Sequence, residues 1–167
     1  NAKGADANPL ACLISKVKTT YIKKDDLQKT LGTIISRAKR FNTNEYIDTS
    51  SVSRWFSKST ISQLWHLEGA IKKVRDAKQQ KFFMMCLSNL VKKVSFADPS
   101  ISVPVKLNPE RFAQNPERME TVRFKLKTLE NIDVYDKFEN VCQLNINRIE
   151  SLKDVYSKGI TSEVISN

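Results

Sequence analysis

His66 is the only histidine in 167 residues, and beside a tryptophan expected in the core it supports no Ser-His-Asp or Cys-His pairing. It stands beside Trp65 with no Cys or acid at metal-ligand spacing, and no metal role is expected of it. Cys12, Cys86 and Cys142 are an odd number at wide spacing, which suits reduced thiols in a core and neither a disulfide framework nor a zinc site. Asp6 lies two residues ahead of Asn8-Pro9, a pair suited to starting a helix. On spacing alone it reads equally as an exposed turn residue and as a carboxylate that holds a ligand. Trp55, Trp65, Phe82 and Phe83 have ring faces able to stack on an extruded base, but they recur at helical spacing among Leu and Ile and are expected in the core.

Cations are the more abundant chemistry. Lys and Arg number 28 against 18 Asp and Glu, a net charge of +10. The first 42 residues hold 9 basic and 3 acidic side chains, residues 43–98 hold 9 and 5, and residues 99–167 hold 10 and 10. The whole excess therefore lies in the first 98 residues. An asymmetric basic half points to a polyanion, nucleic acid first, with solubility alone as the plainer reading. With 40% hydrophobic and 28% charged residues the composition is that of a globular chain, not a disordered one. Only 4 Gly and 5 Pro argue against a turn-rich all-β protein. No apolar run approaches the length of a membrane span, and the start carries no basic-then-apolar leader. The expectation is a soluble, mostly helical protein of the cytoplasm that does not meet a membrane.

The elements follow from apolar spacing. Asn1 and Ala2 are set aside as cloning residues. Leu10, Leu13, Ile14 and Val17 predict a helix over 9–20, and Leu27, Leu31, Ile34, Ile35, Ala38 and Phe41 a second one opened by Asp25 or Asp26. Residues 42–51 read as a polar loop and 52–56 as a short turn. A helix capped by Ser57 or Ser59 carries Ile61, Leu64, Trp65, Leu67, Ile71 and Val74, and breaks near Asp76. Helix resumes over 79–96 with Phe82, Phe83, Met85, Cys86, Leu90 and Val94 apolar. Four of the five prolines fall within 97–116, which must be largely non-helical. Helix returns near Glu117, and a long one is predicted over 134–158, its outer face (Glu130 and Asp133 just ahead of it, then Asp136 and Glu139) solvated, with Gly159 as its C-cap. Residues 161–166 look like a strand, and no partner for it is evident.

The stretch from Gly4 to Thr20 (GADANPLACLISKVKTT) resembles the "GxDxNPLAxLIxxxKTT" segment of the amino-group DNA methyltransferases, which act at adenine N6 or cytosine N4. The close match covers about 20 residues, with weaker resemblance through Arg54-Trp55-Phe56 and the Phe82-Phe83 helix. In that family the acid ends the second strand of a Rossmann-like sheet and bonds both ribose hydroxyls of S-adenosylmethionine; the resemblance makes that acid Asp6. Asn8 and Pro9, with Ala7 between them and the acid, would shape the cofactor rim. A carboxylate at the carboxyl end of a strand suits two vicinal hydroxyls. The resemblance also implies a helical target-recognition insert, whose phosphate contacts would come from Lys23, Lys24, Arg37, Lys39, Arg40, Arg54, Lys58, Lys72, Lys73, Arg75, Lys78 and Lys81. Arg54 and Arg75 are the candidates for reading guanine.

The family's Pro-Pro-aromatic catalytic signature and its Phe-x-Gly-x-Gly cofactor loop are absent from this sequence. The expectation is therefore an internal fragment, with no catalytic residue of its own and not expected to hold S-adenosylmethionine alone. Its fold class is expected to be mainly α: a helical domain inserted in a Rossmann-like α/β fold of which only edges are present. Residues 1–24 would be a cofactor-domain remnant, 25–158 the DNA-binding insert and 159–167 the start of the next strand. Its partners would be double-stranded DNA and the remainder of the methyltransferase chain, in restriction–modification or phage defence. Uncovered apolar faces would favour a homodimer of the isolated piece. The rival readings are a stand-alone helical DNA-binding module and a protein–protein adaptor.

Overall fold

The computed structural model describes residues 2–41, 50–157 and 162–166, and most of the apolar runs become helices. Chain order is β1 (Ala2–Asp6), α1 (Pro9–Lys18), α2 (Lys24–Lys39), α3 (Ser50–Ser53), α4 (Lys58–Lys72), α5 (Ala77–Lys93), a 3-10 turn (Pro109–Phe112), α6 (Pro116–Glu130), α7 (Val134–Glu150), α8 (Lys153–Ser157) and β2 (Ser162–Ser166). Helix starts are set by short polar side chains that accept the orphan N–H groups of a first turn. Asn8, Ser57, Asp76, Asn115 and Asp133 cap α1, α4, α5, α6 and α7. The break near Asp76 follows directly: its Oδ1 takes the Gln79 N–H at 2.8 Å and starts α5.

One apolar face of each long helix meets in a single core. α5 packs on α1, α4 and α7, while α2 packs on α4 and α7. Phe82, Phe83, Leu90, Leu27, Ile34, Leu67, Ile71 and Phe138 are fully buried, and the Phe82 and Phe83 rings meet edge to face at 5.1 Å. All three cysteines are buried and in no disulfide; burial, and then the neighbouring Cys86, pushes the Cys142 thiol far up, so it stays protonated. A smaller cluster of Phe96, Leu107, Val122 and Leu129 seats α6 under the proline-rich segment. That segment is non-helical apart from the 3-10 turn, and an antiparallel bridge joins Ala97 to Lys106. Among the described residues no helix is long and apolar enough to cross a membrane.

The structure departs from expectation in five places. The last strand has a partner: β2 pairs in parallel with β1, Ala2 opposite Ser162 and Asp6 opposite Ser166. Ala2, set aside from the fold in the sequence reading, is the first residue of β1. α2 opens at Lys24 with no side-chain cap, and Asp25 and Asp26 lie in its first turn, where the helix dipole favours them. Ser50 and Ser51, expected in the loop, begin the short helix α3; residues 42–49 and Gly159 lie outside the described residues. The long final helix ends at Glu150, because the core it covers ends at Ile149. Leu152 and Val155 have no core to enter, and α8 turns back so that the Tyr156 hydroxyl donates to the Lys18 carbonyl at the end of α1. Trp65, expected in the core, is 43% exposed and lines an open groove of about 480 Å³ with Val52, Phe56, Met84 and Val91.

Phe83→Ala should lower unfolding free energy by about 3–5 kcal/mol in a urea titration, since it empties the centre of the bundle. Phe124→Ala, at a position 71% exposed, should change it by less than about 0.5 kcal/mol.

Candidate functional site

The segment from Asp6 to Leu10 is a ladder of local hydrogen bonds between strand and helix. Asp6 Oδ1 accepts the Asn8 N–H at 2.8 Å, and Asn8 Oδ1 accepts the Leu10 N–H at 2.9 Å. The Cys12 thiol donates to the Asp6 carbonyl at 3.1 Å, tying the strand end to the first turn of α1. Pro9 takes the first helical position, where its missing N–H costs nothing. Asp6, Ala7, Asn8 and Pro9 are all exposed. The Asp6 carboxylate is thus held by one oxygen, and its Oδ2 makes no hydrogen bond among the described residues.

A charged acceptor with a free oxygen stands at the carboxyl end of a parallel strand, next to a helix N-terminus. Ala7 and Pro9 offer shape and no side-chain hydrogen bond. α1 packs against both strands, so the helix that follows Asp6 also covers the sheet.

The twelve cations chosen from sequence are not all neighbours. Arg54 and Lys58 precede or open α4, while Lys72 and Lys73 close it, about 20 Å away along the helix axis. The Arg54 guanidinium lies over the Trp55 ring at 5.7 Å. At the other end of α4, Lys73 sits over Phe41 at 4.9 Å and Lys72 pairs with Glu68 at 2.7 Å. Thr30 of α2 hydrogen-bonds Gln79 of α5, so α2 runs beside the corner that carries Lys72, Lys73, Arg75, Lys78 and Lys81. Arg37 and Arg40 face outward on α2, and Lys39 lies over the Tyr135 ring at 5.9 Å. Lys23 and Lys24 stand at the start of α2, Lys24 half-buried.

Two cations were missed. Lys16, with Thr20, joins Lys78 and Lys81 around a cleft of about 220 Å³ between the end of α1 and the start of α5. Lys29 shares the outward face of α2 with Arg37 and Arg40. Helical spacing was the available signal for Lys29, since it lies eight and eleven residues before the two arginines on one stripe.

His66 is a structural group. It is buried, its Nδ1 lies 2.9 Å from the Tyr135 hydroxyl, and its ring stacks on Phe41 at 5.6 Å, which ties α4 to α7 and α2. Burial, with Asp133 nearby, raises the Tyr135 phenol above its ordinary range, so it stays a neutral hydroxyl. Among the described residues no three His, Cys, Asp or Glu side chains come together as metal ligands would.

No family model matches the chain, and no solved structure matches it. Among characterised proteins it is similar to the Type II methyltransferase M.MvaI of Kocuria varians, 27% identical over 150 residues. The alignment takes in 83% of this chain and 33% of the relative, so the chain spans about a third of that protein's length. A match of that extent takes in most of the helical bundle.

Asn8→Ala removes the cap of α1 and should cost about 1 kcal/mol, read as a lower urea midpoint with an unchanged slope.

Proposed function

We propose, from this similarity to a Type II methyltransferase, that the chain is a segment of an S-adenosylmethionine-dependent DNA methyltransferase that modifies adenine N6 or cytosine N4. The observation that carries the reading is the Asp6 corner itself: the acid of the motif ends one of two parallel strands and precedes a capped helix. In this reading Asp6 binds the ribose hydroxyls of the cofactor, and Ala7, Asn8 and Pro9 form the rim beside it. When bound, S-adenosylmethionine supplies the methyl group; the groups that hold the target amine lie in other parts of the protein.

The insertion reading has its support in α1. That helix lies on both strands, and the bundle from α2 to α8 is spliced between it and β2. A two-stranded parallel sheet is too small to stand alone, because parallel sheets are normally wide and covered on both faces. The remainder of the methyltransferase chain is the proposed source of the missing strands. The helical bundle then grips duplex DNA while a base is extruded, with lysines and arginines on phosphates supplying affinity. The setting is a cytoplasmic restriction–modification system.

In the complete protein, Asp6→Ala should weaken S-adenosylmethionine about 10- to 100-fold by equilibrium dialysis, as expected for a lost charged hydrogen-bond acceptor. An unchanged affinity would remove Asp6 from the cofactor site. The isolated chain leaves Leu10 43% exposed on α1 beside the open sheet, and should self-associate, as a homodimer in light scattering. A monodisperse monomer would count against an uncovered sheet.

A further inference from the structure

We infer that the outward face of α2 is the groove that seats the DNA phosphate backbone, an assignment that rests on the DNA-methyltransferase reading and locates its grip. Lys29, Arg37 and Arg40 rim a groove of about 420 Å³ whose floor is Gly32, Thr33 and Ser36. From Lys29 to Arg40 the stripe runs about 16 Å along the helix, long enough to meet several successive phosphates of one strand.

Three features together favour this face. The first is its charge: Lys29, Arg37 and Arg40 line one groove, and, as for most of the described cations, no carboxylate among the described residues lies within ion-pair distance of them. The second is Gly32. In the middle of a helix a glycine costs about 1 kcal/mol relative to alanine, and a Cβ at this position would meet nothing within 4 Å. Packing therefore does not demand a glycine there; its effect is to keep the groove floor at the level of the backbone, where a phosphate can approach closely. The third is the floor's chemistry. Ser36 brings a hydroxyl between the cations, while the Thr33 hydroxyl donates its one proton to the Lys29 carbonyl at 3.1 Å and must exchange that bond to donate to a phosphate. Hydroxyls and guanidinium forks are the usual partners of phosphate oxygens.

The fold leaves this face free. Leu27, Leu31, Ile34 and Ala38 anchor the opposite side of α2 in the core. The groove is also continuous with further positive charge: Thr30 and Phe41 flank Arg37 on its inner side and touch the α4–α5 corner through Gln79 and Lys73. A backbone seated on α2 would therefore run on past Lys73, Arg75 and Lys78.

The test measures binding of the complete protein to a labelled duplex by fluorescence anisotropy across a salt series. Four forms are compared: wild type; Lys29→Ala/Arg37→Ala/Arg40→Ala; Gly32→Gln; and an equal-charge control on the α6 side, Arg111→Ala/Lys125→Ala/Lys127→Ala. The groove triple should reduce the slope of log affinity against log salt by about 2 to 3, and the control should leave it within about 0.5 of wild type. Gly32→Gln fills the floor without changing charge; it should lose affinity at least about tenfold while melting no lower than wild type, since glutamine is the better helix former. Groove variants that bind like the control would overturn the assignment and leave the DNA reading standing. A wild-type protein that does not bind duplex even at low salt would overturn both.

Discussion

Burial of α5 is the interaction on which the rest of the molecule depends. Phe82, Phe83, Met85, Cys86, Leu87 and Leu90 occupy somewhat more than half of its circumference over two and a half turns, and α1, α4 and α7 each cover part of it. Each such side chain contributes roughly 1.5–3 kcal/mol by leaving water, so no surface interaction in the chain is comparable. α2 is held one layer further out, against α4 and α7, which leaves its far side exposed. The position of the basic groove is thus a consequence of the core: the helix that carries it is fixed from behind.

The sheet corner depends on that same core at one remove. α1 is seated on α5 through Val17 and on the strands at its other side, so the bundle fixes the helix that follows Asp6. Asn8 and Cys12 then hold the acid's own backbone and one carboxylate oxygen. Orientation at this corner is therefore a matter of short-range hydrogen bonds on a helix placed by long-range packing. Tyr156 reinforces the arrangement by bonding the last turn of α1.

Charge and apolar surface are distributed to different sides. The cations of α2 and of the α4–α5 corner lie together, while the exposed Trp65 and Val91 line a groove between α4 and α5. This separation has a simple cause. α4 and α5 share the core with one another and cannot bring their remaining apolar residues into it without displacing Phe82, Phe83 or Leu67, all of which are fully buried.

By itself the amino-acid sequence determined what depends on neighbours within a few residues. The Asn8 cap with Pro9, the Ser57 cap, the break at Asp76 and the non-helical run of prolines all follow from hydrogen bonds and backbone restrictions inside one turn. The buried stripes of α2 and α5 follow from helical period alone, and the Asp6 motif from its residues in order. Tertiary structure decided the rest. β1 and β2 are 160 residues apart in register, and nothing local announces that Ala2 will face Ser162. Trp65 has the spacing of a core residue, but the stripe on α4 is wider than the partner available to cover it. The continuous helix expected through 158 stops at Glu150 because the bundle it packs on stops there. Lys29, Arg37 and Arg40 share a stripe that any helical reading contains; that the stripe faces solvent, unpaired, over a glycine floor depends on which side of α2 the core claimed.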